Sequence, residues 1–111
     1  MKDSAVVHLR IRYAKERFLE PSLPVNDVEH FERIREWRRC DRRCEELVRA
    51  LAGDQEAASY AGVWHTLPVI DANPLSAAGA DLVNGIWMKM AWLEQFSVRL
   101  EAREGLRELR S

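Results

Sequence analysis

The chain has 111 residues and a mass of 12.9 kDa, room for one domain, and its 17 basic and 18 acidic residues leave a net charge of −1. That near-cancellation argues against whole-molecule attraction to DNA or to anionic lipid, although it leaves a local patch open. With 47% hydrophobic and 32% charged residues, the composition is that of a folded globular protein rather than a disordered one.

The start, MKDSAVVHLRIRYA, is broken by His8, Arg10 and Arg12 and does not read as a secretory leader. No run approaches the roughly 18 apolar residues of a membrane span. Two cysteines in such a chain point to a reducing compartment, and the expected location is the cytoplasm.

In chain order, residues 5–13 alternate, with Val7, Leu9, Ile11 and Tyr13 on one face and His8, Arg10 and Arg12 on the other. That pattern predicts a half-buried strand over 1–15. Pro21 and Pro24 make 16–25 an extended connector. Asn26, with Glu29 as its capping-box partner, opens a helix over 26–52 that Gly53 ends in the left-handed region. Residues 53–73 read as a loop, with room for a short helical turn in DQEAASYAG and for a short edge strand over 63–70, where Pro68 cannot donate to a ladder. Asn73-Pro74 opens a second long helix over 74–104, and 105–111 is a frayed tail after Gly105. The expected fold is α+β, mostly helical, in a single domain over 1–111. An isolated strand is marginal in water, so this one needs 63–70, a second copy or a foreign sheet edge.

The stretch EWRRCDRRCEE, residues 36–46, comes closest to a motif. On a helical wheel with Trp37 at zero, Cys40, Cys44, Leu47, Val48 and Leu51 fall between about 280° and about 20°, one apolar stripe, while Arg38, Arg39, Arg42 and Arg43 turn away from it. The cysteines therefore read as small buried hydrophobes, and their i,i+4 spacing is too wide for a good disulfide. His8, His30 and His65 complete no recognised zinc spacing, so no metal and no cofactor is expected. The arginines are nearly balanced by acids along the same helix and read as a solvated rim. One detail stands apart: Val28, Phe31, Ile34, Trp37 and Cys40 recur every three residues, which walks the stripe backwards by about 60° per step. The first half of this helix thus points its apolar groups in another direction from the second half.

The second long helix carries IWMKMAWL, residues 86–93, with Lys89 as its one polar residue. On a wheel with Leu82 at zero, Ile86, Leu93, Phe96 and Leu100 make a core stripe. Trp87 falls at about 140°, Ala91 at about 180°, Met88 at about 240° and Trp92 at about 280°, so apolar groups surround the helix at this level. A helix apolar all round is buried on every side or awaits a partner, and tryptophan and methionine suit a binding surface. The small run SAAGA, residues 76–80, suits close helix packing.

Convergent catalytic chemistry is hard to find. Ser59, His65 and Asp71 are the right types for a triad, but no nucleophile elbow surrounds Ser59. There is no phosphate-cradling glycine loop and no H-E-x-x-H. A better-formed alternative is DNA binding: two N-terminal strands paired antiparallel would present His8, Arg10 and Arg12 from each chain to a major groove.

The expectation from these features is a small cytoplasmic regulator, not an enzyme. It binds another protein as a homodimer and masks that partner's interface, for example as an antiactivator of a transcription regulator. The expected partner or dimer interface comprises Trp87, Met88, Ala91 and Trp92 with Phe31, Ile34, Val7, Leu9 and Ile11. The DNA-binding ribbon is the second reading, and a small enzyme with an unrecognised site is the third.

Overall fold

The computed structural model describes residues 1–63 and 75–110, and all of the regular structure among them is helical. Helix α1 spans Asp3–Ala14 and runs on through a π-helical turn, Lys15–Leu19. Helix α2 spans Asp27–Ala52, α3 spans Asp54–Gly62 and α4 spans Leu75–Arg110.

The predicted N-terminal strand over 1–15 is therefore corrected to a helix, and the fold from α+β to all-α. Val7 and Ile11 fit either period, being four apart. The deciding residues Ser4, Ala14 and Phe18 lie outside the alternating window: with Val7 and Ile11 they are buried at steps of three and four, while Leu9 and Tyr13 face solvent. The helical turn also carries into the predicted connector, ending at Leu19 two residues before Pro21.

Within 53–73, the expected loop is helical over 54–62, while 64–70, the bulk of the expected edge strand, lies outside the described residues, as does the Asn73-Pro74 start. The tail expected to fray after 104 continues as helix to Arg110.

The boundaries of α2 follow from its caps. The Asn26 side chain accepts the Glu29 N–H at 2.9 Å, and Glu29 reaches back to the Val25 N–H at 3.3 Å rather than to that of Asn26. At the other end Gly53 takes φ 96° and ψ 178°, a region essentially open to glycine alone. That single residue turns the chain out of α2 and directly into α3.

Helix α1 has no side-chain cap of its own. One is supplied across the bundle, where Glu104 of α4 accepts the Ser4 N–H at 2.9 Å and the Ser4 hydroxyl at 2.6 Å. A carboxylate at a helix N-terminus satisfies an orphan donor and meets the positive end of the dipole. The Ser4 hydroxyl and backbone N–H hold the Glu104 carboxyl below the usual range. Further along, His8 pairs with Glu101 at 2.8 Å and Lys15 with Glu94 at 2.6 Å, and Lys2 meets Glu108. Rising numbers on α1 meet falling numbers on α4, so the two helices run antiparallel.

Helix α2 meets the end of α1 where Arg17 pairs with Glu36 at 2.6 Å and Phe18 lies edge-on to Trp37 at 5.5 Å. Arg10, earlier on α1, lies near Cys40 and Cys44, later on α2, so these two helices also run antiparallel. The core is one cluster. It joins the α1 stripe to Trp37, Cys40, Cys44 and Val48 of α2, to Ala57 and Tyr60 of α3, and to Leu82, Ile86, Met90, Leu93, Phe96 and Leu100 of α4.

Candidate interaction surfaces

With the core stripe of α4 turned inward, its outer face carries Asn84, Met88, Ala91, Gln95, Val98 and Ala102, all exposed and all uncharged. Their spacing alternates four and three residues, so they form a second seam along the helix, opposite the first. Trp87 flanks this seam on the α1 side, where Lys15 Nζ sits 5.5 Å from the centre of its ring. Trp87 is 50% exposed and Met88 40%. Trp92, by contrast, is largely enclosed. Its ring stacks on Phe96 at 5.3 Å and meets Tyr60 edge-on at 5.6 Å, its Nε1 donates to Ser59 Oγ at 3.2 Å, and Arg99 lies over it while pairing with Glu56.

The expected interface residues on the first segment divide. Val7 and Ile11 are sealed in the core of this subunit, and only Leu9 faces out. Among the residues proposed for DNA contact, His8 is bound to Glu101 and Arg12 to Glu16, while Arg10 is half-buried on the side of Cys40 and Cys44. With no strand in this segment, the two-stranded ribbon does not form and the DNA reading loses its geometry.

The three-residue walk along α2 carries its apolar groups out of the core. Cys40 and Trp37 are buried, Ile34 is half-buried, and Phe31 is 62% exposed, with Val28 also outside. The arginines beside them are less balanced in space than in sequence. Glu29 is engaged by Arg33, Glu36 by Arg17 and Glu45 by Arg49, while Asp41 turns into the bundle. Among the described residues no ion pair is formed by Arg35, Arg38, Arg39, Arg42 or Arg43; Glu32 and Glu46 share their face, and Asp27 stands at the far end beyond Phe31. Phe31, Ile34, Arg35, Arg38, Arg39 and Arg42 line one shallow depression of about 510 Å³.

A buried polar cluster, with almost no signature in the sequence, ties these faces to the core. Lys89 is 2% exposed; its Nζ lies 2.8 and 3.1 Å from the two oxygens of Asp41 and 4.5 Å from the centre of the Tyr60 ring. The Tyr60 hydroxyl donates to Asp41 Oδ1 at 2.7 Å. Burial first, then the neighbouring Cys44 and Asp41, push the Tyr60 hydroxyl well above its ordinary range. The one signal available in sequence is a single lysine in an otherwise apolar run. Its partner is 48 residues away.

Both cysteines are free and buried. The Cys44 thiol, and then burial, raise Cys40 far above the ordinary thiol range. Of the triad types, Ser59 is occupied by Trp92, and His65 and Asp71 lie outside the described residues. Among the described residues no group of three metal-ligating side chains comes together, and no helix is long and apolar enough to cross a membrane.

Comparison of the chain with protein-family models, with curated proteins and with solved structures finds no match in any of the three.

Proposed function

We propose that the chain is a small cytoplasmic regulator that acts by occupancy rather than catalysis. It pairs with a second copy of itself and masks the interface of another protein, and an antiactivator of a transcription regulator is one concrete form. The observation that carries this reading is the outer face of α4. Trp87, Met88, Ala91 and Val98 stand in solvent on a helix whose opposite face already fills the core. Large aromatic and thioether groups are the anchors that protein interfaces favour, and small residues such as Ala91 and Ala102 let a second helix approach.

The test is size exclusion with light scattering, followed by capture from native lysate, on the wild type and on Trp87→Ala/Met88→Ala. The expected result is a wild-type dimer that also retains a protein in near-stoichiometric amount. The double variant should be a monomer of unchanged helicity that retains none. A wild type that stays monomeric at high concentration and captures nothing overturns the reading.

A further inference from the structure

The outer face of α2 has a composition that α4 lacks. Phe31, Arg35, Arg38 and Arg42 follow one another at steps of four, three and four, so they form a single stripe about 16 Å long, with Ile34 on one flank and Arg39 on the other. The apolar end is exposed and the guanidinium groups are unpaired among the described residues. We infer that this stripe is a docking site for an acidic amphipathic segment of a partner protein, its apolar side chains seated against Phe31 and Ile34 and its carboxylates on Arg35, Arg38 and Arg42.

Charge complementarity makes the case. Outside this stripe Lys2, Arg12, Lys15, Arg17, Arg33, Arg49 and Arg99 each have a carboxylate within salt-bridge distance, while Arg10, Arg103, Arg107 and Arg110 form no ion pair among the described residues and are not gathered beside an exposed aromatic ring. On α2 two of the acids that balance the sequence are drawn away, Asp41 inward to Lys89 and Glu36 sideways to Arg17, which leaves Glu32 and Glu46 beside five arginines. Five guanidinium groups on residues 35–43 are left within about 12 Å of helix. Arginine binds carboxylates through paired, parallel hydrogen bonds and is enriched at protein interfaces.

A phosphate backbone would also be attracted. Such a ligand, however, gains little from Phe31, Ile34 and Val28, and it rewards a basic track longer than this compact cluster, on a protein whose net charge is −1. An acidic amphipathic segment uses both halves of the stripe. This inference rests on reading the chain as a protein-binding module, but not on self-association through α4.

The test is a display selection of random 16-residue segments on the wild type, with counter-selection on Arg35→Glu/Arg38→Glu/Arg42→Glu. Recovered segments, a polyglutamate of equal length and a 16-base-pair DNA duplex are then compared by fluorescence anisotropy. Circular dichroism checks each variant, and Arg→Gln replaces Arg→Glu where charge reversal lowers helicity.

Recovered segments are expected to carry carboxylates and apolar residues at helical spacing and to bind at least tenfold tighter than polyglutamate or the duplex. The triple variant and Phe31→Ala should each weaken them by tenfold or more, with the loss on Phe31→Ala persisting at high salt. Failure to enrich such segments overturns the inference, as does duplex binding of equal strength that is indifferent to Phe31→Ala. Conversion of a wild-type dimer to monomer by the triple variant also overturns it, since the face would then be the self-interface. Peptide binding by a monomeric wild type would instead sink only the dimer of α4.

Discussion

Lys89 and Asp41 join α4 to α2 inside the bundle through two contacts of 2.8 and 3.1 Å, and the Tyr60 hydroxyl closes the group from α3. Three helices thus meet at one carboxylate. Removing one member of a buried pair leaves the other charge desolvated, whereas replacing both with apolar groups of similar size is often close to neutral.

Asp41→Ala is accordingly expected to destabilise the protein by about 3 kcal/mol, at the lower end for a buried pair because the Asp41 side chain is 30% exposed. Asp41→Ala/Lys89→Met should be more stable than Asp41→Ala alone. Urea melts of the two single variants and the double variant, treated as a cycle, measure the coupling.

The tryptophans among the described residues should separate by environment. Trp37 is 3% exposed and packs on Phe18, so Trp37→Ala is expected to cost about 3–5 kcal/mol. Trp87→Ala, at a site without core packing, should cost less than about 1 kcal/mol in the monomer. Denaturation at low protein concentration compares them without a contribution from association.

The cross-bundle cap at Ser4 makes stability depend on acid. Because Ser4 depresses the Glu104 carboxyl below its unfolded value, the contribution is complete above about pH 4.3 and is lost as pH falls through the lower folded value. Ser4→Ala is expected to lower the urea midpoint near neutrality. The difference from wild type should shrink in the acid range, and urea titrations from pH 7 to pH 2.5 follow it.

Cys40 and Cys44 should behave as core side chains rather than as reagents. With both thiols buried, modification by a disulfide reagent is expected to run at the rate of unfolding and to be complete at once in denaturant. Rapid native reactivity of either thiol would contradict the packing.

Much of the helical plan is legible where a local signal exists. Asn26 and Gly53 bound α2 within a residue, because a cap and a positive φ are properties of short segments. The first helix is disguised because AVVHLRIRY satisfies two periods at once, and Val7 and Ile11 belong to both. Ala14 and Phe18, which break the tie, lie at and beyond the end of the alternation. The end of α4 is hidden for a related reason: Gly105 weakens a helix alone, but Ser4 and Lys2 hold that segment from across the bundle.

On α2, the positions of the arginines are plain in the sequence and their imbalance is not, since Glu36 and Asp41 are committed to Arg17 and Lys89 on other helices. On α4, the wheel marks Trp87 and Trp92 alike, and only the placement of α3 decides which indole is enclosed.

The antiparallel docking of α1 on α4 also constrains the order in which the chain can fold. Ser4 meets a carboxylate 100 residues downstream, and Lys15 one that is 79 residues away. A ribosome adding about 5–20 residues per second leaves the oily side of α1 waiting on the order of ten seconds for its cover. Meanwhile α2 and α3, neighbours in the chain, can associate early, so the α4-facing side of α1 is made before theirs and covered after it. During that interval Phe18 can already rest on Trp37 of α2, while the rest of the α1 stripe lacks its α4 side.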